Sequence, residues 1–396
     1  MKGTAVGVVV VLALALALVQ AQGPSVPGWP EVVRFYHQRL QQAGIVGSSL
    51  LLLRDGRVAA AEQAGYQDLD AKQPVTPDTI FHWASITKTL TGIAILQLRD
   101  RGRLSLDDPA VTYVPELRQV HDPFGDISQV TIRHLMSHTA GFRAATWPWG
   151  GDQDWHPFEP TRWDQVVAMF PYTTLLFPPG SKYSYSNPGV IVLGRIIEAL
   201  SGDDYEVYVA KNILMPLGMR RSFFDRAPYH LLPQRSHSYF RTDEGLKEAR
   251  FDFDTGITVS NGGLNAPLDD MAAYLAFLLG GDEGRRARYE AVLARPSLEE
   301  MFRPVARAAD GEGGSGQDVQ VGLSFFLERH EGLDLVAHSG SQNGFLSHFY
   351  LHLPSRTGFI VAYNTEATTK RGGNPEVTRQ ADADLRDVIL REVVRK

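Results

Sequence analysis

Apolar positions recur along this chain at two spacings, and each predicts a different kind of element. From Ser85 onward, Ile86, Leu90, Ile93 and Ala94 recur at i, i+4, i+7 and i+8, which predicts a helix with one buried face. Met271, Tyr274, Leu275 and Leu278 after "NGGLNAPLDD" fall at i, i+3, i+4 and i+7, and Val190, Leu193, Ile197 and Leu200 after Asn187-Pro188 at i, i+3, i+7 and i+10, which again predict helices. Residues 31–43 read as an N-terminal helix. Val377, Leu385, Ile389 and Val393 mark an amphipathic helix at the C-terminal end. Strand-like runs separate these helices. "GSSLLLLRDGRVAAAEQAGYQD" predicts two strands joined at Asp55-Gly56, a pair suited to a tight hairpin. "VGLSFFLER", "FLSHFYLHLP" and "TGFIVAYN" predict three more near the other end.

Strands near both chain ends and a largely helical middle predict an α/β (α+β) fold. An antiparallel sheet flanked by helices is assembled from about residues 31–99 and 320–396, with a mainly helical lobe inserted over about 100–319. The Gly-rich stretch 306–319 reads as a mobile loop. No internal repeat is visible.

The N-terminus departs from this pattern. Lys2 precedes an apolar run from about Val6 to Val19 and then Val19-Gln20-Ala21, the layout of a signal peptide (1–21) cut after Ala21. A Pro/Gly linker (22–30) follows. The expectation is an exported protein, periplasmic or secreted, with no stable membrane association once the signal is cleaved. The alternative is a membrane anchor left uncleaved. The chain of 396 residues has no cysteine, so disulfides, thiolate nucleophiles and cysteine metal sites are excluded. A net charge of −6 gives no support to nucleic-acid binding.

Several motifs fail on context. "GEGGSG" (311–316) does not sit between a strand and a helix, as a dinucleotide loop must. His134 and His138 are four apart but lack the glutamate and third ligand of a zinc helix, so structural roles are expected. His348 and His352 fall in a strand-like run, where packing or surface roles are the default. G-x-S-x-G and the P-loop are absent. No metal or cofactor is implied.

Three stretches remain. Ser85-Ile86-Thr87-Lys88 places a serine and a lysine on neighbouring rows of one helix face, with Ser85 at the N-terminus. A serine needs a base to become a nucleophile, and a lysine serves if desolvation lowers its pKa, which an arginine cannot do. The chain holds 8 Lys against 31 Arg, so lysine is here the scarcer choice. Tyr185-Ser186-Asn187 lies in a loop just before a helix, where the phenol can enter a cleft and Asn187 either meets a carbonyl or caps the helix. His338-Ser339-Gly340 follows the strand-like "LDLV"; a strand edge there could pair with a substrate, and the Ser341 N–H could join that of Ser85 as an oxyanion hole.

In this order the three motifs resemble those of class C β-lactamases and related serine hydrolases, a superfamily that includes D-alanyl-D-alanine peptidases, D-aminopeptidases and β-lactamase-like esterases. "VTIRHLMSHTAGF", "ILMPLGMRRSFF" and "NGGLNAPLDDMAAYLAFLL" extend the resemblance to about residues 31–395. It implies that Ser85 is acylated and that Lys88 and Tyr185 share the handling of protons. It also implies that Asn187 orients the substrate carbonyl or Lys88, and that His338, Ser339 and Gly340 line the site. The implied partner is a small-molecule or peptide substrate.

One departure bears on substrate. The third motif usually starts with a lysine that helps bind a substrate carboxylate, and here it starts with His338. That favours ester or amide hydrolysis over β-lactam hydrolysis. A β-lactamase is one alternative, and a penicillin-recognising or cell-wall-binding module that is acylated but barely turns over is another, from a different class. Residues 142–163 hold four of the six tryptophans. Trp147, Trp149 and Trp155 would line an apolar pocket or pack against one another as a structural loop.

Overall fold

The computed structural model describes residues 26–146, 160–249, 251, 254–281, 283–308 and 318–395. A nine-stranded antiparallel sheet forms its centre. In spatial order the strands are Gln73–Pro74, Arg57–Asp68, Gly47–Arg54, Thr357–Tyr363, Phe345–His352, Leu333–Gln342, Phe326–His330, Gln320–Val321 and Ala306–Arg307. The two ends of the chain meet where Gly47–Arg54 pairs with Thr357–Tyr363, with Leu52 opposite Phe359. The Asp55-Gly56 turn joins the first two long strands, and both residues take positive φ (51° and 71°) as a tight hairpin of this kind requires. The Ala306–Arg307 strand lies inside the stretch expected to be a mobile loop. It has a short partner in Gln320–Val321, which the glycine-rich composition between them obscured.

Alternation along the long strands sorts side chains into two layers. Leu50, Leu52, Tyr350, Phe359 and Val361 face the N-terminal helix Trp29–Ala43 and the C-terminal helix Glu376–Ile389. Leu51, Leu53, Phe349, Leu351 and Ile360 face the helices Thr87–Asp100 and Leu268–Leu278. Helix Trp29–Ala43 starts two residues earlier than the spacing predicts, because Pro30 fits the first turn, where its missing N–H costs nothing.

Helix Thr87–Asp100 differs from the expectation of a single buried face. Every residue from Thr87 to Leu98 is buried, because the sheet lies on one side and the helical lobe on the other. Its threonines are tolerated there because each hydroxyl has a partner. Thr87 donates to the Ala84 carbonyl, Thr89 to the Ile86 carbonyl and Thr91 to the Ser260 carbonyl, at 2.6–2.7 Å. The lobe packs helices Ile132–Met136, Asn187–Ser201 and Tyr205–Val209 around Leu135, Ile191 and Ile196. A small sheet of Ile80–His82, Leu264–Pro267 and Phe223–Phe224 delivers the chain to Ser85. None of the described helices is long and apolar enough to cross a membrane.

Candidate active site

Ser85 stands in a 3₁₀ turn, Ala84–Ile86, between the strand Ile80–His82 and the buried helix. Ala84 takes a left-handed φ of 46°, a conformation that costs a residue with a Cβ about 1 kcal/mol or more. That sharp turn leaves Ser85 half-exposed between the buried Ala84 and Ile86. Lys88, one turn on, is fully buried, and its Nζ lies 2.9 Å from Ser85 Oγ and 2.7 Å from the Asn261 carbonyl oxygen. Burial holds the Lys88 pKa well below the usual lysine range. As an ammonium, Lys88 donates to both oxygens. As a neutral amine it keeps an N–H for Asn261 and offers its lone pair to the Ser85 hydroxyl.

Tyr185 closes the group. Lys88 Nζ is 5.0 Å from the centre of its ring. Burial pushes the phenol pKa upward, and the neighbouring Ser85 hydroxyl only partly offsets this. The expectation that Asn187 either meets a carbonyl or caps the helix resolves away from the cap. Ser186 caps the helix Asn187–Ser201, its Oγ accepting the Gly189 N–H at 3.0 Å. Asn187 donates its backbone N–H to the Ala144 carbonyl, while its side-chain Oδ1 is buried without a hydrogen-bond partner among the described residues.

His338 lies on the strand Leu333–Gln342, whose ladder with Phe326–His330 ends at the Ala337–Phe326 pair. Among the described residues, the strand from His338 to Gln342 is paired on the other side only, to Phe345–His352. The His338 ring is 5.1 Å from that of Phe326, which in turn stacks on Tyr185 at 6.4 Å. Burial, with a smaller contribution from Lys88, lowers the His338 pKa to about 3, so the ring is neutral at ordinary pH. Its Nδ1–H donates to the Ser339 carbonyl at 2.7 Å. Gly340 packs against the backbone at Trp83, where a Cβ would overlap the Trp83 carbonyl oxygen. The Ser341 hydroxyl donates to the buried Glu366.

Ser85, Lys88 and Tyr185 are thus in mutual contact, and His338 and Gly340 border them. Sequence reasoning missed Asn261, which acts through its backbone carbonyl and so leaves no side-chain signature. It also missed Glu366, which lies in the two-residue strand Thr365–Glu366 with no motif around it. His134 has the structural role expected, as the third residue of a capping box with Thr131. His348 is buried against Asp382 at 2.9 Å, and His352 meets Ser355. Trp147, Trp149 and Trp155, "GEGGSG", the signal segment and residues 22–25 of the linker lie outside the described residues.

This combination of a two-layered antiparallel sheet, an inserted lobe and a Ser-Lys-Tyr cluster between them defines a β-lactamase-like fold. The profile of the beta-lactamase family matches residues 32–383, and the chain belongs to that family. Among curated relatives, protein flp of Staphylococcus aureus (strain MW2) is 32% identical over 190 residues, 48% of this chain and 37% of flp. Esterase EstB of Burkholderia gladioli is 31% identical over 210 residues, 49% of this chain and 53% of EstB. These matches span about a third to a half of the relatives' own length. The octameric penicillin-binding protein homologue from Pyrococcus abyssi superposes with a TM-score of 0.73 at 28% identity, covering 91% of this chain and 77% of that one.

Proposed function

We propose that the protein is an exported serine hydrolase that cleaves ester or amide bonds through an acyl-enzyme on Ser85. The observation that carries this reading is the 2.9 Å contact between Ser85 Oγ and a fully buried lysine whose pKa is driven down by burial. In acylation Ser85 Oγ forms a bond to the substrate carbonyl carbon, and its proton passes to Lys88, directly or through Tyr185. The oxyanion is met by the N–H groups of Ser85 and Ser341, each such donor being worth about 3 kcal/mol. The bond to the leaving group then breaks, and that group takes the proton. A water follows the same route in reverse to free Ser85.

Substrate preference follows from charge. A neutral His338 supplies no cation for a substrate carboxylate, which favours uncharged esters or amides over β-lactams. The likeness to EstB, which is named an esterase, points the same way. Export rests on the pattern of residues 1–21. The test is a panel of short and long p-nitrophenyl esters, a chromogenic cephalosporin and a D-alanyl-D-alanine peptide. Ser85→Ala should abolish turnover and covalent labelling. Lys88→Arg should lose most activity although it keeps the charge, and near-normal rates would remove Lys88 from the proton path. Stoichiometric labelling of Ser85 without sustained product release would turn the reading toward a module that is acylated but does not turn over.

A further inference from the structure

By its spacing from His134, His138 reads as half of a failed metal pair, yet the fold brings it against Tyr185. Three observations converge on it. The His138 backbone carbonyl accepts the Ser184 N–H at 2.8 Å. Its ring Nδ1 accepts the Ser186 N–H at 3.1 Å. Its ring lies 4.6 Å from the Tyr185 ring, tilted by 31°. One residue therefore binds the chain on both sides of Tyr185 and covers the ring between. The arrangement is specific. A backbone N–H can only donate, so Nδ1 must be unprotonated, and the neutral ring carries its hydrogen on Nε2. His138 is buried, and burial together with Lys88 and His338 keeps it neutral. It also holds a left-handed φ of 56°, a strained conformation for a residue of this size that persists only where the surroundings enforce it.

We propose that His138 is a positioning residue for the hydrolysis, fixing Tyr185 from three sides so that its phenol stays in register with Ser85 and Lys88. This rests on the reading above that Tyr185 takes part in proton transfer. His138 does not reach the reacting atoms; it acts through Tyr185. It also explains why a residue other than glycine stands at a left-handed position. The carbonyl and the ring are both needed there, and glycine would supply only the first.

The experiment compares His138→Ala, His138→Asn and His138→Phe with Tyr185→Phe in the full chain. It reads kcat and KM for p-nitrophenyl butyrate alongside thermal unfolding. Loss of register by an ångström costs on the order of 100-fold in rate, so His138→Ala should lower kcat by about that much with little change in KM. His138→Asn offers an oxygen where Nδ1 stood and accepts left-handed backbone well, so it should recover much of the loss. His138→Phe keeps a ring without the acceptor and should recover less. Added to Tyr185→Phe, His138→Ala should lower kcat no further, because both changes remove the same function. The proposal is overturned if folded His138→Ala keeps kcat within two-fold of the parent, or if its loss adds in full to that of Tyr185→Phe. Should His138→Ala fail to fold, the order of His138→Asn above His138→Phe decides, and the reverse order overturns it. Wild-type kcat in Tyr185→Phe would remove the reading of Tyr185 and the proposal with it. An impaired Tyr185→Phe beside unimpaired His138 variants would remove the proposal alone.

Discussion

Gly340 packs so closely on Trp83 that a side chain at 340 would collide with the Trp83 carbonyl oxygen. Two stretches about 250 residues apart in the sequence are thereby held in contact: the turn that presents Ser85 and the strand that carries His338 and Ser341. The spacing of the cleft is set by the backbone, and glycine is required for close approach; its φ is unremarkable.

Gly340→Ala therefore has a defined expected effect. The added methyl must push the strand away from Trp83 or distort the Ala84 turn, which is already strained. Overpacking of this kind costs roughly 1–3 kcal/mol. The larger effect should be on rate, because the Ser341 N–H moves relative to Ser85. Acylation is expected to slow at least about ten-fold while the protein still folds. Stopped-flow acylation with unfolding curves measures both, and an unchanged acylation rate would show that the contact does not set the oxyanion geometry.

A second prediction concerns pH. Glu366 is buried and accepts the Ser341 hydroxyl, and burial raises its pKa from 4.5 to about 7. In the unfolded chain it ionises near 4.5. Between the two values the folded protein holds a proton that the unfolded chain has lost, so stability falls as pH rises from about 4.5 to about 7. The loss is complete above that range and is on the order of 3 kcal/mol at most. Glu366→Gln keeps an acceptor for Ser341 but cannot ionise. Its unfolding temperature should match that of the parent near pH 4.5 and exceed it by a few degrees at pH 8. A constant difference at both pH values would show that the charge of Glu366 is not responsible.

These two residues also mark where the sequence was legible. The strands near both chain ends, the hairpin at Asp55-Gly56 and the Ser85–Lys88 pair were readable, because each depends on spacing within a few residues. The burial of helix Thr87–Asp100 at every residue from Thr87 to Leu98 was not. Its threonines look like a polar face until their hydroxyls are seen to reach carbonyls such as that of Ser260. Asn261, His138 and Glu366 contribute through a backbone carbonyl, hydrogen bonds to a neighbouring loop and a hydrogen bond from a strand serine. None of these has a local pattern, since each exists only once distant segments pack together.

The last prediction separates substrates by their hydrogen-bonding groups. Asn187 lies two residues from Tyr185 and has a buried Oδ1 without a partner among the described residues. A buried acceptor left unmade carries a desolvation cost of about 1–3 kcal/mol, and a substrate N–H that reaches it recovers that cost. A simple ester such as p-nitrophenyl butyrate has no N–H to offer, whereas an N-acylamino-acid p-nitrophenyl ester does. Asn187→Ala should therefore reduce kcat/KM for the amide-bearing ester by roughly five- to a hundred-fold and leave the simple ester nearly unchanged. Stability should change little, because the Asn187 N–H to the Ala144 carbonyl belongs to the backbone and survives the substitution. An equal loss for both esters would mean that Asn187 acts on Lys88 or on the turn itself, and that its amide does not read the substrate.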